Sequence, residues 1–202
     1  MKTKFEAIHD DWTLIKNACR TTVNKKFTDK EPSNDFKKSL LIAEHSPIRL
    51  FEVFWSWDKI KYWVSTEWSR HKFEKFISTQ RNDRQKKYDR NEAPQGSLVD
   101  YNGFANMQSL IDVWRKRLCF QATPDARSLA EDFKVELHKT HAEEANVLVP
   151  NCVYRGGCPE MCPCGWWGKF MDWCKENNRD ISSIQSRYDA YNDMFYEKHK
   201  ED

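Results

Sequence analysis

Residues 48–57, with the sequence IRLFEVFWSW, constrain the fold more than any other stretch of this chain. Their large side chains alternate, which places Phe51, Val53, Trp55 and Trp57 on one face of an extended strand. Only 39% of the 202 residues are hydrophobic, yet the chain contains nine Trp and twelve Phe. We therefore predict a core in which aromatic rings carry much of the packing.

Most of the remaining chain shows helical periodicity, with apolar side chains three or four positions apart. The predicted helices begin at Asp10 or Asp11, Ser33 or Asn34, Asp58, residue 105, Thr123-Pro124 and about Ile181. Two segments, 81–99 and 150–174, have the composition of loops. One strand followed mainly by helices predicts an α+β fold rather than a doubly wound sheet.

The helix predicted from Asp58 carries a polar face. Glu67, Arg70, His71 and Glu74 follow one another at helical spacing, so they share this face. Such a face is either a solvated surface with favourable charge pairs or the wall of a pocket for an anion.

A second polar pair lies at the two ends of the helix predicted over 105–118. Asn106 and Arg117 lie on the same face of this helix. They either bind the two ends of an extended ligand, or they serve as an ordinary helix cap and a basic residue at the helix end. The loop between these two helices is basic, and its arginines suit phosphate oxygens if it is more than a solvated loop. Its cations are Arg81, Arg84, Lys86, Lys87 and Arg90.

The charge balance and hydropathy exclude several classes of protein. Thirty-three basic and thirty-one acidic residues leave a net charge of +2, which argues against nucleic acid as the main partner. No apolar stretch approaches the roughly 18–20 residues of a membrane helix. The first twelve residues, MKTKFEAIHDDW, lack the apolar core of a signal peptide, so we predict a cytoplasmic protein.

Five of the seven cysteines fall within residues 152–174. Thiols clustered in this way bind a metal, zinc or an iron–sulfur cluster, or they are reduced structural thiols or a redox group. Their spacing matches no standard zinc-finger pattern. The candidate metal ligands are Cys152, Cys158, Cys162 and Cys164.

Several short motifs occur in an order that resembles the flavin-dependent thymidylate synthase family. They are Glu44-His45-Ser46-Pro47 before the strand, Arg70-His71-Lys72, Ser78-Thr79-Gln80-Arg81, Arg90 with Ala93-Pro94, and the stretch NMQSLIDVWRKR from Asn106 to Arg117. The resemblance covers roughly residues 5–140.

The resemblance implies a fold and a reaction. It implies a small antiparallel sheet with several helices over residues 1–149, and we predict that a Cys-rich loop and a C-terminal amphipathic helix over 150–202 pack on that domain. It implies FAD as cofactor, methylenetetrahydrofolate as carbon donor and NADPH as reductant for the conversion of dUMP to dTMP. It also implies a homotetramer whose flavin sites are shared between subunits.

The resemblance assigns roles to individual residues. Arg117 would be the catalytic residue, stabilising the pyrimidine ring as it loses a proton. The flavin contacts would be Ser46, Arg70, His71, Lys72, Asn106, Asp112 and Gln121. The nucleotide contacts would be Glu67, Thr79, Gln80, Arg81, Arg90 and Arg117.

The chain departs from the family at several of these positions. Lys72 replaces an arginine, so the planar guanidinium with its forked donors is lost. Gln108, Asp112 and Gln121 also differ from the residues that the family has at these positions. One alternative is therefore a diverged relative that installs a different C5 group, such as hydroxymethyl, or acts on dCMP. An alternative of another class is a metal-containing, non-catalytic nucleic-acid-binding protein that uses the basic loop and the cysteines.

Overall fold

A computed structural model describes residues 2–84 and 89–199 of the chain. Its centre is a four-stranded antiparallel sheet in the order β1-β2-β4-β3. The strands are β1 (Lys4–His9), β2 (Glu52–Lys61), β3 (Glu74–Ile77) and β4 (Leu98–Asn106). The predicted α+β class is confirmed, although β2 alone of these strands was expected from the sequence.

The central strand begins and ends later than its alternation predicted. Ser46–Leu50 form a 3-10 turn, so the strand starts at Glu52, and it continues to Lys61. An irregularity between Trp57 and Ile60 inserts an extra residue relative to β4, with Lys59 at φ 56°. This bulge returns Ile60 to the core, where it is 1% exposed. The helix predicted from Asp58 begins only at Tyr62, because residues 58–61 still belong to the strand.

Nine helices surround the sheet in the described part of the chain. They are α1 (Trp12–Thr22), α2 (Asn34–Ile42), α3 (Tyr62–Ser69), α4 (Met107–Arg117), α5 (Pro124–His138), α6 (Ala142–Asn146), α7 (Asn151–Arg155), α8 (Trp166–Glu176) and α9 (Ile184–Lys198). The predicted starts of α1 and α2 are confirmed, because Asp11 and Ser33 accept hydrogen bonds from the backbone of the first turn. Thr123-Pro124 also begins a helix as predicted.

Two predictions about these elements were wrong. Helix α3 ends at Ser69 and the chain turns into β3, so Glu67, Arg70, His71 and Glu74 do not share a helix face. The chain turns after Ser69 because the next residues form β3, which pairs antiparallel with β4. The segment 150–174 is not one loop, since it contains α7 and most of α8.

Tryptophans fill the core as the composition predicted. Trp55, Trp57, Trp68 and Trp114 are fully buried. Their rings contact one another and Phe133, with centroids 4.3–6.0 Å apart. Because Trp68 lies on α3 and Trp114 on α4, this cluster holds the two helices together.

Hydrogen bonds join the C-terminal helices to one another and to α5. Lys134 of α5 donates a hydrogen bond to Asn192 of α9, and Arg187 of α9 donates to the carbonyl of Val153 in α7. The predicted boundary between residues 149 and 150 stays a prediction. Among the described residues no helix is long and apolar enough to cross a membrane.

Candidate active site

Three of the predicted site residues are in direct contact at the C-terminal end of α4. The Arg117 guanidinium donates from Nε to His71 Nε2 at 2.7 Å and from Nη1 to Glu67 Oε2 at 3.2 Å. Its Nη2 donates to the backbone carbonyl of Glu67 at 2.6 Å. The residues come from α4, from α3 and from the turn after α3, so the tertiary fold creates the cluster.

Neighbouring groups hold this cluster in place. Thr123 donates its hydroxyl proton to Glu67 Oε2 at 3.0 Å, and Arg117 lies 5.7 Å from the ring centroid of Trp68. Lys75 Nζ donates to the carbonyls of Ser69 and His71, which fixes the turn that carries the imidazole. The Arg117 and Glu67 side chains are only 13% and 19% exposed.

The electrostatics determine the protonation state of the imidazole. Burial lowers the pKa of His71 to about 4, and the positive charges of Arg117, Lys116 and Lys75 contribute to the shift. The ring is therefore neutral at pH 7, and its Nε2 lone pair accepts the hydrogen bond from Arg117, which leaves the proton on Nδ1. Burial also lowers the pKa of Arg117, but a guanidinium stays charged at neutral pH.

The contacts with Glu67 and His71 do not use all the N–H donors of Arg117. A guanidinium has five N–H donors, and the three hydrogen bonds to Glu67 and His71 use one from each nitrogen. One N–H on each terminal nitrogen is left for a ligand. The group is therefore a rigid cation with two donors in a fixed direction.

A cavity of about 300 Å³ adjoins Arg117. Its wall is cationic on the α4 side, and it also carries amides and a thiol. The lining residues include Arg115, Lys116, Arg117, Cys119, Gln121 and Asn151. Gln121, one of the predicted flavin contacts, donates from Nε2 to the carbonyl of Cys162 at 2.6 Å.

Apart from His71, which belongs to the Arg117 cluster, the other predicted flavin contacts do not line this cavity. The Asn106 side chain caps α4 by accepting from the amide of Ser109, and Asp112 is an exposed residue near Gln108. Ser46 is exposed and borders a separate cavity of about 540 Å³. Arg70 and Lys72 are exposed on either side of His71.

The predicted nucleotide contacts of the basic loop are mostly exposed and lie outside the Arg117 cluster. Arg81 forms an ion pair with Asp83, and the backbone amide of Arg90 donates to Asn82. Thr79 is exposed and Gln80 is half-buried. The predicted cations Lys86 and Lys87 lie outside the described residues.

An ion-pair cluster beside the site was missed by the sequence analysis. Arg115 is 11% exposed and forms a two-pronged ion pair with Glu44, which also accepts from Gln108 at 2.7 Å. The Arg115 guanidinium lies 3.5 Å from the ring centroid of Tyr154. Seventy-one residues separate Arg115 from Glu44, and no local pattern signals such a pair. It fastens the last turn of α4, and hence Arg117, to α7 and to the turn after α2.

The cysteines do not form the predicted metal site in the described structure. All seven are free thiols, and no three His, Cys, Asp or Glu side chains of the described residues are grouped to hold a metal. Cys152 is buried on α7, and burial raises its pKa to about 12, whereas Cys162 and Cys164 are exposed. The predicted ligand set Cys152, Cys158, Cys162 and Cys164 therefore gains no support.

Comparisons with known proteins identify the fold. No family model matches the sequence, and no curated protein matches it. Two similar solved structures are both of flavin-dependent thymidylate synthase ThyX from Helicobacter pylori with FAD and dUMP. One has a TM-score of 0.57 at 14% identity, covering 70% of this chain and 96% of that chain. The other has a TM-score of 0.61 at 12% identity, covering 73% and 99%. This chain therefore has the fold of those enzymes.

Proposed function

We propose that this protein is a flavin-dependent enzyme of the thymidylate synthase type. It would use FAD and NADPH to transfer and reduce a one-carbon unit from methylenetetrahydrofolate to C5 of dUMP, forming dTMP. The arrangement of Arg117 carries this proposal, because a rigid cation with two remaining donors suits a pyrimidine ring that becomes negatively charged. The fold supports it, since the similar structures contain FAD and dUMP.

Contacts within the chain support the proposed role of Arg117 in this reaction. Its two remaining N–H groups would donate to the pyrimidine, where negative charge develops as the ring loses its N3 proton. Glu67 and His71 fix the guanidinium beforehand, so little reorganisation is needed when that charge appears. Because His71 is neutral, it orients the guanidinium without adding a competing positive charge.

The residues around Ser46 fit a dinucleotide cofactor. Ser46 borders a cavity of about 540 Å³ whose wall includes the cations Lys16, Arg20 and Lys25, and such cations suit a diphosphate. Arg70 and Lys72 are the positively charged residues among the predicted flavin contacts, and both are exposed. When bound, reduced FAD supplies the hydride that completes the methyl group.

The proposal includes a homotetramer with sites shared between subunits. Within one chain, Ser46 and Arg117 border different cavities. Of the predicted flavin contacts only Gln121 lines the Arg117 cavity, and no predicted nucleotide contact lines the Ser46 cavity. A shared site would unite them across a subunit boundary.

A second candidate is a related enzyme that modifies C5 of dCMP. Glu67, held beside Arg117, has a carboxylate that only accepts hydrogen bonds when ionised. The amino group at C4 of cytosine is a donor, whereas uracil has a carbonyl there. A carboxylate at this position therefore favours a cytosine substrate more than an amide would.

The first experiment measures cofactor and nucleotide binding. Protein incubated with FAD and separated by gel filtration should retain a flavin spectrum that shifts when dUMP or dCMP is added. We expect Arg117→Ala to weaken nucleotide binding by at least about 100-fold, since its two remaining donors would make charge-assisted hydrogen bonds that contribute about 1.5–3 kcal/mol each. Arg179→Ala removes an ion-paired arginine outside the site and should leave nucleotide binding unchanged.

The outcomes separate the alternatives. Unchanged nucleotide affinity in Arg117→Ala would disprove the site assignment. Mass analysis of the product from each nucleotide, with methylenetetrahydrofolate and NADPH present, would identify both the substrate and the C5 group. Failure to retain flavin together with salt-sensitive oligonucleotide binding would instead support the nucleic-acid-binding alternative.

A further inference from the structure

The segment from 156 to 165, which joins α7 to α8, has no role in the proposed reaction. It contains Cys158, Cys162 and Cys164, and a glycine with positive φ lies at each end: Gly156 at 70° and Gly165 at 81°. Glycine permits this backbone conformation at little cost, so the segment can leave one helix and enter the next through sharp turns. It lies against the connection between α4 and α5.

Two contacts bring Cys119 and Cys164 to the same place. Gln121, two residues after Cys119, donates to the carbonyl of Cys162 at 2.6 Å. The ring of Phe120 stacks on Trp166 with centroids 5.1 Å apart and an interplanar angle of 14°. Each of the four contacting residues lies within two positions of Cys119 or Cys164, so these contacts bracket the two thiols.

The surroundings of Cys119 agree with this proximity. Burial raises the pKa of Cys119, and the charge of Cys164 raises it further, ahead of the contribution from Cys158. Glu160 and Cys158 act on Cys119 in the same direction, which agrees with the segment 156–165 lying near Cys119. Cys119 is half-buried and Cys164 is exposed, which gives the pair one thiol that external reagents can reach.

We propose that Cys119 and Cys164 are a redox-active dithiol that forms a reversible disulfide on the wall of the Arg117 cavity. The exposed Cys164 Sγ, as a thiolate, attacks a small disulfide such as glutathione disulfide and displaces one glutathione. Cys119 Sγ then attacks Cys164 Sγ and displaces the second glutathione. The two protein thiols lose two electrons and two protons, and one glutathione disulfide becomes two glutathione thiols.

The bond would act on the candidate site through the chain itself. Cys119 lines the cavity beside Arg117 and lies two residues after it, and Glu160 lines the same cavity from the segment 156–165. The disulfide would fasten that segment to the end of α4 and fix the width of the cavity. The oxidation state of the pair would then control how readily a ligand reaches Arg117.

The test uses the full-length protein equilibrated in glutathione buffers from reducing to oxidising. Free thiols are then blocked by alkylation, and the peptides are identified by mass spectrometry. We expect one cross-link, joining the peptides that contain Cys119 and Cys164, which disappears again in reducing buffer. Cys119→Ser and Cys164→Ser should each abolish it, whereas Cys162→Ser, an exposed thiol of the same segment, should retain it.

Three results would overturn the assignment: no cross-link in the most oxidising buffer, a disulfide that contains Cys158 or Cys152 instead, or Cys164 held only as a mixed disulfide with glutathione. The peptide map of the unmutated protein decides between these results even if Cys119→Ser fails to fold. The measurement needs neither flavin nor nucleotide, so it is independent of the proposed enzyme activity.

Discussion

Arg117 owes its position to partners that are distant in sequence. It contacts Glu67 and His71, which lie 50 and 46 residues away. A partly buried ion pair of this kind stabilises the fold only modestly, because desolvation offsets much of the attraction. Its main consequence is geometric, since it fixes the direction of the two remaining donors.

The state of His71 leads to a prediction about acid stability. Its folded-state pKa of about 4 lies below the ordinary value of 6.5, so the protonated ring is disfavoured in the folded protein. The resulting stability is fully present above about pH 6.5 and is lost as the pH falls toward 4. We expect a loss on the order of 1–2 kcal/mol, reduced by solvent screening because the ring is only half-buried.

Urea unfolding between pH 4 and 7, followed by tryptophan fluorescence, measures this loss. In His71→Gln the amide oxygen can still accept from Arg117 but does not titrate, so this variant should lose less stability than the unmutated protein. His9→Gln, which changes an exposed ring on β1, should leave the pH profile unaltered. Identical profiles for His71→Gln and the unmutated protein would show that His71 is not held neutral by the fold.

At the scale of elements, β4 depends on a close approach between backbone and ring. Gly103 pairs with Trp55 of β2, and a Cβ at position 103 would lie 2.2 Å from Cζ2 of that indole. Trp55 is fully buried and contacts four other aromatic rings, so it has little room to move. Glycine is therefore required here by packing.

We expect Gly103→Ala to lower the free energy of unfolding by about 3 kcal/mol, as overpacking of a dense core does. Gly168→Ala is the matched control, because position 168 lies within α8 and a Cβ added there would meet nothing within 4 Å. That change should stabilise the protein by up to about 1 kcal/mol through helix propensity. Urea unfolding of both variants checks the two signs, and equal stabilities would refute the packing argument.

At the scale of the whole molecule, Lys134 joins three helices. This residue of α5 is fully buried, and its Nζ donates to the carbonyl of Ala145 at 2.6 Å and to Asn192 Oδ1 at 2.7 Å. The ring centroids of Tyr191, Phe195 and Tyr196 lie 5.1–5.7 Å from Nζ. A single side chain therefore links α5 to the end of α6 and to α9.

Burial lowers the pKa of Lys134 well below its ordinary value, which predicts a pH dependence on the alkaline side. Above the lowered folded-state pKa the folded lysine is neutral while the unfolded chain still binds the proton, so the free energy of unfolding should rise with pH from there to about 10.4. Lys134→Met should remove this rise, whereas Lys139→Met, at an exposed ion-paired lysine, should keep it. Urea unfolding at several pH values from 7 to 10 gives the slopes, and an unchanged slope in Lys134→Met would contradict the prediction.

Local sequence signals were enough to predict several elements of the fold. Some features act within a few residues and can therefore be predicted from the sequence. They are the caps at Asp11 and Ser33, the proline at the start of α5 and the alternation of β2. The motif resemblance also selected Glu67, His71 and Arg117 before their contacts were known. The aromatic composition predicted the kind of core, because large rings must be buried somewhere.

The remaining strands and the long-range contacts could be recognised only in the tertiary structure. Strands β3 and β4 are defined by pairing with partners remote in the chain, and the bulge at Lys59 shifts the register in a way that alternation does not reveal. The ion pair of Arg115 with Glu44 and the proximity of Cys119 to the segment 156–165 likewise join remote residues. Such contacts depend on how whole elements pack, and packing energies are summed over the folded chain rather than over a local window.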